Sequence, residues 1–318
     1  MIVEVSIHSF SLWHHFENKV DFDAIDFIDL ARSMGYQGIS LSLNDINYRH
    51  LGGRGVDRMD RLSRHLKSYG MKLEVDTSNT TPVHMSEMLK VANRMGATSL
   101  RTYTHYRGDV DQMIKITASD LKEVMDEASD LGIIIVLENH EDFTGPELVK
   151  IIELVNHPNL KILYDYGNSQ MVLEDPMTAL EAVLPHVYSV HFKDHVMIRG
   201  EDAGQLTVAG VPVGEGFLPL ADLTRRLLFK GLRRFTFENV WAYSAPIQKG
   251  RVPLKGVHLG TGAFEYLNPP FDPERVVLKK SEFSSERLVE LEIAALQRGH
   301  ASFQKVLKNC GAAGDWIM

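Results

Sequence analysis

Four residues of the kinds that bind divalent metals each close a short hydrophobic run: Glu138, Asp165, His191 and Glu238. The runs are GIIIVLENH (132–140), LKILYD (160–165), VYSVH (187–191) and RRFTFE (233–238). Three carboxylates and one imidazole carry a formal charge of −3 with the imidazole neutral. That excess suits a dication such as Mn²⁺, Mg²⁺, Co²⁺, Fe²⁺ or Zn²⁺ and leaves coordination positions for a substrate's oxygens. A metal held this way polarises a carbonyl or hydroxyl and acidifies the adjacent C–H or O–H. Period-two alternation adds two residues on the same side, His140 two beyond Glu138 and Lys193 two beyond His191. A dication nearby disfavours their charged forms, which suits a base or a hydrogen-bonding group. Asn168, three beyond Asp165, is placed to bind a substrate hydroxyl or to cap the next helix.

The elements that must position these residues follow from the pattern around them. Short runs rich in Ile, Val, Leu, Phe and Tyr, separated by amphipathic stretches, read as buried parallel strands. Eight can be followed: Ile2–Ile7, Gly38–Leu43, Lys72–Asp76, Ser99–Tyr103, Ile133–Glu138, Lys161–Asp165, Tyr188–His191 and Arg234–Glu238. Helices are predicted over Asp23–Met34, Val56–Tyr69, Pro82–Met95, Asp111–Leu131 and Ser285–Gly299, and the first four stop at a glycine. Eight βα units imply an α/β fold, a (β/α)8 TIM barrel, with sites at the carboxyl ends of its strands. Long loops follow strands seven (Asp194–Pro219) and eight (Asn239–Ser284) and should lie over the barrel mouth. The whole of 1–318 is expected to be one domain, with a C-terminal helix and tail over 285–318.

Other strand-end residues give weaker signals. His8 follows strand one; Arg101, Tyr103 and His105 alternate after strand four, and His105 is a candidate substrate contact. Trp13, His14 and His15 sit in the first βα loop, where Trp13 could cover a sugar face. Gly214–Glu215–Gly216 reads as a tight turn rather than a phosphate cradle, because a lone GxG carries little information.

Composition removes several classes. The chain has 318 residues, 44% hydrophobic, with net charge −8. Basic and aromatic residues form no stripe, so a nucleic acid is not an expected partner. The single cysteine, Cys310, excludes an internal disulfide and a CxxC metal site. No apolar stretch reaches the ~20 residues that span a bilayer. The opening MIVEVSIHSF reads as a first strand and not as a signal peptide. A cytoplasmic location is the expectation.

Taken together, ENH (138–140), DYGN (165–168), HFKD (191–194), GEG (214–216) and FEN (237–239) resemble the sugar phosphate isomerase/epimerase superfamily, the xylose-isomerase-like TIM barrels. The resemblance implies that Glu138, Asp165, His191 and Glu238 bind one divalent ion, usually Mn²⁺, Mg²⁺, Co²⁺ or Zn²⁺, with Mn²⁺ the expected one. It implies that Glu138 and Glu238 also serve as an acid/base pair, and that the substrate is a sugar or keto-sugar whose carbonyl-adjacent proton is removed. It further implies an oligomer, of this chain alone or with a small partner subunit. Two positions depart from the ketose epimerases of the family. A histidine there is replaced by Asn168, and an arginine six residues after the metal histidine is replaced by Met197, with Arg199 two further on as a substitute substrate contact. The departures, with the extra His140, turn toward members acting on keto-sugars or glycosides. The alternative outcome is therefore a lyase, resembling a 3-oxo-glycoside C-deglycosidase subunit or a keto-inositol dehydratase, with His140 as base and Lys193 beside it.

Overall fold

A computed structural model of the chain describes residues 1–44, 47–199, 205–247 and 251–313. Outside it lie part of the loop expected after strand seven, three residues of the stretch after strand eight, and the last five of the tail.

Alternation along the strands builds the architecture. In each one, outward residues are apolar (Val5, Ile7, Leu73, Val75, Leu100, Ile162, Tyr164, Val190, Phe235, Phe237) and belong to one continuous buried core. The residues between them point the other way, into the interior. Helices cover the outward face, and the strands close on themselves. They are β1 (Glu4–His8), β2 (Gly38–Ser42), β3 (Lys72–Asp76), β4 (Ser99–Thr102), β5 (Ile134–Glu138), β6 (Leu160–Asp165) and β7 (Val187–Phe192). The eighth staff, β10 (Arg234–Phe237), pairs in parallel with both β7 and β1 and closes the barrel. The expected (β/α)8 barrel is present, with strand limits shifted by one or two residues at most ends. Glu238 falls one residue beyond its strand.

The helices are α1 (Trp13–Asn18), α2 (Ala24–Ser33), α3 (Val56–Tyr69), α4 (Pro82–Met95), α5 (Val110–Asp130), α6 (Gly145–Val155), α7 (Pro176–Val183), α8 (Leu220–Lys230) and α9 (Ser285–Asn309). Local signals set their ends. Asp23 and Asp26 form a reciprocal capping box at α2, and Gly70 and Gly96 take the left-handed conformation (φ 65° and 81°) that ends α3 and α4. The last helix runs ten residues past the expected Gly299. Gly299 lies against Phe237 of the barrel, where a Cβ would come within 3.2 Å of the ring, so here glycine allows close packing instead of ending the helix. No helix among the described residues is long and apolar enough to cross a membrane.

The stretch after β7 differs from the open loop expected. β8 (Asp194–Arg199) and β9 (Leu206–Val211) form an antiparallel hairpin, and β11 (Ser244–Pro246), from the connection after β10, pairs with β9. The hairpin buries Val196, Ile198, Ala209 and Val211 with Val276 in a separate small core. Gly and Pro around it hid two β-branched runs. The three-stranded sheet therefore joins both long connections.

Asp194, the first residue of that hairpin, fixes the turn that follows it. Its carboxylate accepts four backbone N–H groups, from His195 (3.0 Å), Gly214 (2.9 Å), Gly216 (2.9 Å) and Leu218 (3.3 Å). Burial outweighs these donors and leaves its carboxyl raised to about 7. Four donors converging on both oxygens require a carboxylate, since a protonated oxygen would face an N–H. Gly216 sits so close that a Cβ would lie 2.2 Å from Asp194 Oδ1. HFKD and GEG are thus one structural unit, a tight turn as expected. Asp194→Asn turns an NH₂ toward two of the donors and should lower stability by about 2–4 kcal/mol. Chemical denaturation checks this; an unchanged midpoint would remove Asp194 from the role.

Candidate metal centre and its cavity

Four residues at the carboxyl ends of β5, β6, β7 and β10 meet at one point. His191, fully buried, directs Nδ1 at three carboxylates: Glu138 Oε1 at 3.2 Å, Glu238 Oε2 at 3.7 Å and Asp165 Oδ2 at 3.8 Å. Those three oxygens and His191 Nδ1 are all buried, and none has a well-directed hydrogen bond. Buried polar atoms are rarely left so, and four aimed at one another are of the kinds that could hold a metal ion. Glu138, Asp165 and His191 meet the spacing needed to hold one ion.

The remaining oxygens are held by the protein. Arg101, at the inward face of β4, bonds both Glu138 Oε2 and Asp76 Oδ1. His8 lies between Asp76 Oδ2 (Nε2, 3.0 Å) and Glu238 Oε1 (Nδ1, 3.3 Å). A chain Glu138–Arg101–Asp76–His8–Glu238 therefore leaves each glutamate one oxygen for the centre. Asp165 Oδ1 accepts from Gly167 N (2.8 Å) and Asn168 N (3.0 Å), and its Oδ2 is 2.7 Å from Lys193 Nζ. Lys193 Nζ is also 3.4 Å from Glu238 Oε2.

Burial and mutual charge shape the titration. Burial raises the Glu138 carboxyl, but Arg101 and His191 override it and hold it well below the ordinary range. Burial likewise opposes Glu238, which Lys193, His191 and His8 pull to about 2. Asp165 goes the other way, up to about 7, because burial and the two glutamate charges outweigh Lys193. His191 is raised to about 9, the two glutamates overcoming its burial. Without an ion, then, a proton on His191 partly offsets the crowded carboxylates. A dication replaces that proton and adds a second charge, so the donor set fits such an ion.

Above the centre opens a cavity of about 310 Å³. His140, Lys193, Asn168 and Trp13 all line it, together with Glu238. His140 stacks flat on Tyr103, with ring centroids 3.7 Å apart, and burial lowers it to about 4, which keeps the ring neutral near pH 7. Asn168 does not cap its helical turn; its Nδ2 is buried without a partner. Trp13 begins α1, whose backbone is clasped from α9, Glu292 accepting from His14 N (2.7 Å) and His15 N (2.9 Å). The other two candidates lie elsewhere. His105 is exposed and packs on Tyr106, because the chain turns outward after β4. Arg199 is exposed at the far end of β8 with its guanidinium over Tyr266, the hairpin carrying it away from the mouth. Neither lines the cavity.

Asp76 carries no expectation from the sequence, and His8 and Arg101 carry no assigned role there. All three are inward residues at the ends of β1, β3 and β4, so the rule that found the four ligands could have found them. Tyr243 and Glu141, which also line the cavity, come from connections and carried no such signal.

Comparison with known proteins agrees with the fold. The chain is similar to the Escherichia coli K12 protein YihM, described as uncharacterized, with 26% identity over 206 residues, 65% of this chain and 63% of that one. It is also similar to the 3-oxo-isoapionate decarboxylase of Pectobacterium atrosepticum, with 24% identity over 163 residues, 50% of this chain and 58% of that one. The chain thus spans about three fifths of the length of these curated relatives. Among solved structures, D-psicose 3-epimerase crystallised with D-fructose superposes with a TM-score of 0.64 at 11% identity, over 97% of this chain and 99% of that one, a likeness of fold. The family model described as xylose isomerase-like TIM barrel matches residues 28–250, which hold all four ligand candidates, and the chain belongs to that family.

Proposed function

We propose that the protein is a divalent-metal-dependent enzyme of the sugar isomerase/epimerase type, removing a proton next to the carbonyl of a sugar or keto-sugar. The carrying observation is the convergence of four buried donor atoms, none with a directed hydrogen bond, on one point beneath an open cavity. The ion, Mn²⁺ in this reading, polarises the substrate's carbonyl when bound. Glu138 and Glu238 form the acid/base pair; Arg101 fixes one Glu138 oxygen, and His8 Nδ1 lies 3.3 Å from the Glu238 oxygen turned away from the centre. Lys193 holds Asp165 and Glu238 in place and offers N–H donors at the cavity wall. Asn168 Nδ2 donates to a substrate hydroxyl, and Trp13 covers the sugar's apolar face.

A lyase outcome is the second reading. It is favoured by His140, a neutral ring in the cavity wall with Nδ1 free of hydrogen bonds, and by the similarity to a decarboxylase of an oxo-sugar acid. Both outcomes begin with loss of a group beside the carbonyl. The deciding experiment incubates Mg²⁺-loaded protein with ketoses, inososes and 3-oxo-glucosides and identifies products by NMR. A new isomer or epimer is the expected result; release of water, carbon dioxide or an aglycone selects the lyase; no turnover of the panel contradicts the proposal.

His140→Ala separates the two bases. With the glutamate pair as base, the variant keeps its metal and most of its activity. If His140 is the base, metal is kept and turnover falls by roughly 10²–10⁴-fold.

A further inference from the structure

The barrel interior beneath the centre is polar on one side, where such interiors are packed with branched apolar residues; Val136 and Leu163, two back from Glu138 and Asp165, keep the other side apolar. Two positions back along their strands from His8, Asp76, Arg101, His191 and Glu238 stand Ser6, Glu74, Ser99, Ser189 and Thr236. They line a small cavity of about 30 Å³. Two serine hydroxyls fix Glu74: Ser99 Oγ donates to Oε2 at 2.9 Å and Ser40 Oγ to Oε1 at 3.2 Å. Glu74 Oε1 then lies 4.0 Å from His191 Nε2. Two buried polar atoms make no hydrogen bond: the Ser189 hydroxyl, in the cavity wall, and that same His191 Nε2, which faces Glu74 from outside the lining.

We propose that Glu74 is a positioning residue for the metal ligand His191, acting through an ordered water between the two. The inference rests on the metal reading above. A gap of 4.0 Å is too long for a direct hydrogen bond and right for a short water bridge. The cavity has room for one or two waters at ~10–15 Å³ each, and the polar partners a water needs are present. A water accepting from His191 Nε2–H and donating to Glu74 Oε1 keeps the imidazole proton on Nε2. The Nδ1 lone pair then faces Glu138, Asp165 and Glu238, where the ion would sit. The apolar core of a usual barrel would leave both ring nitrogens unguided. The serines serve the same end, since they hold a carboxylate that otherwise faces the lower mouth of the barrel beside Lys72 and Arg234.

The test measures Mn²⁺ and Zn²⁺ affinity by chelator competition for the parent, Glu74→Ala and Glu74→Gln. Outer carboxylates of this kind are typically worth about 10–100-fold in metal affinity. Glu74→Ala should lose that much, and Glu74→Gln, which keeps an acceptor, should recover part of it. In Zn²⁺-loaded protein labelled with ¹⁵N-histidine, the His191 Nε2–H signal should be present in the parent and shifted or broadened in Glu74→Ala. Parent-like affinity and an unmoved His191 signal in a folded Glu74→Ala variant, or in Glu74→Met should that one not fold, would overturn the role of Glu74 alone. A parent that binds neither ion would overturn the metal reading as well.

Discussion

Glu238→Gln should yield a folded protein that retains no divalent ion and turns over its sugar roughly 10²–10⁴-fold more slowly. His191→Ala should lose the ion and activity to the same extent. Both should be less stable without the ion, for different reasons. Lys193, His191 and His8 hold Glu238 as a carboxylate against its burial, so making it neutral removes those attractions. Its metal-free form should melt below the parent. His191 is fully buried and supplies a cation to those same carboxylates, so its loss removes that charge and leaves a void. Its melting point should fall. Binding linkage offers a second readout: an ion at 100 times its Kd stabilises the parent by ~2.7 kcal/mol and should stabilise neither variant. Elemental analysis after dialysis gives the stoichiometry, and metal retained by both variants would sink the assignment.

Arg101→Met carries the largest expected cost in stability. The guanidinium is buried and bridges Asp76 and Glu138, themselves buried. Methionine of similar length fills the space and leaves two carboxylates without their main cation. Breaking a buried pair from one side typically costs about 3–5 kcal/mol. The cost depends on pH with a definite sign. Burial raises the Asp76 carboxyl, but Arg101 and His8 bring it below its ordinary value. A depressed folded pKa contributes stability above the unfolded pKa of ~3.9 and loses it as pH falls through the folded value. The gap between parent and variant should therefore be full at pH 7 and close toward pH 3. A pH-independent gap would mean that Arg101 acts by packing alone. The variant should also bind metal more weakly, since Glu138 Oε2 loses the partner that orients it.

The residues most legible in the sequence were those obeying one geometric rule. Glu138, Asp165 and His191 lie at or next to a strand's carboxyl end and face inward, so run length and alternation located them without any contact being known. Glycine punctuation located most helices for a comparable reason, since Gly70 and Gly96 answer a local need for positive φ. What was hidden depended on contacts distant in sequence. Gly299 reads as a helix stop and is instead a close approach to Phe237. The hairpin β8–β9 is flanked by glycines that look like loop, and its small core forms only when Val276 arrives from the later connection. Glu74 looks like a polar residue in mid-strand; only closure of the barrel brings it beneath His191. His105 shows the converse, a residue of the right type near the right strand end, turned outward where the chain leaves β4.

Proton abstraction beside a carbonyl is tested most directly by isotope exchange. Protein stripped of metal, then loaded with Mg²⁺, is incubated with each turned-over sugar in D₂O and the product examined by NMR. The account predicts deuterium at the carbon next to the carbonyl in the loaded sample and none in the stripped one. Product formed without deuterium, as in a hydride shift between adjacent carbons, or equal labelling with and without the ion, would contradict it.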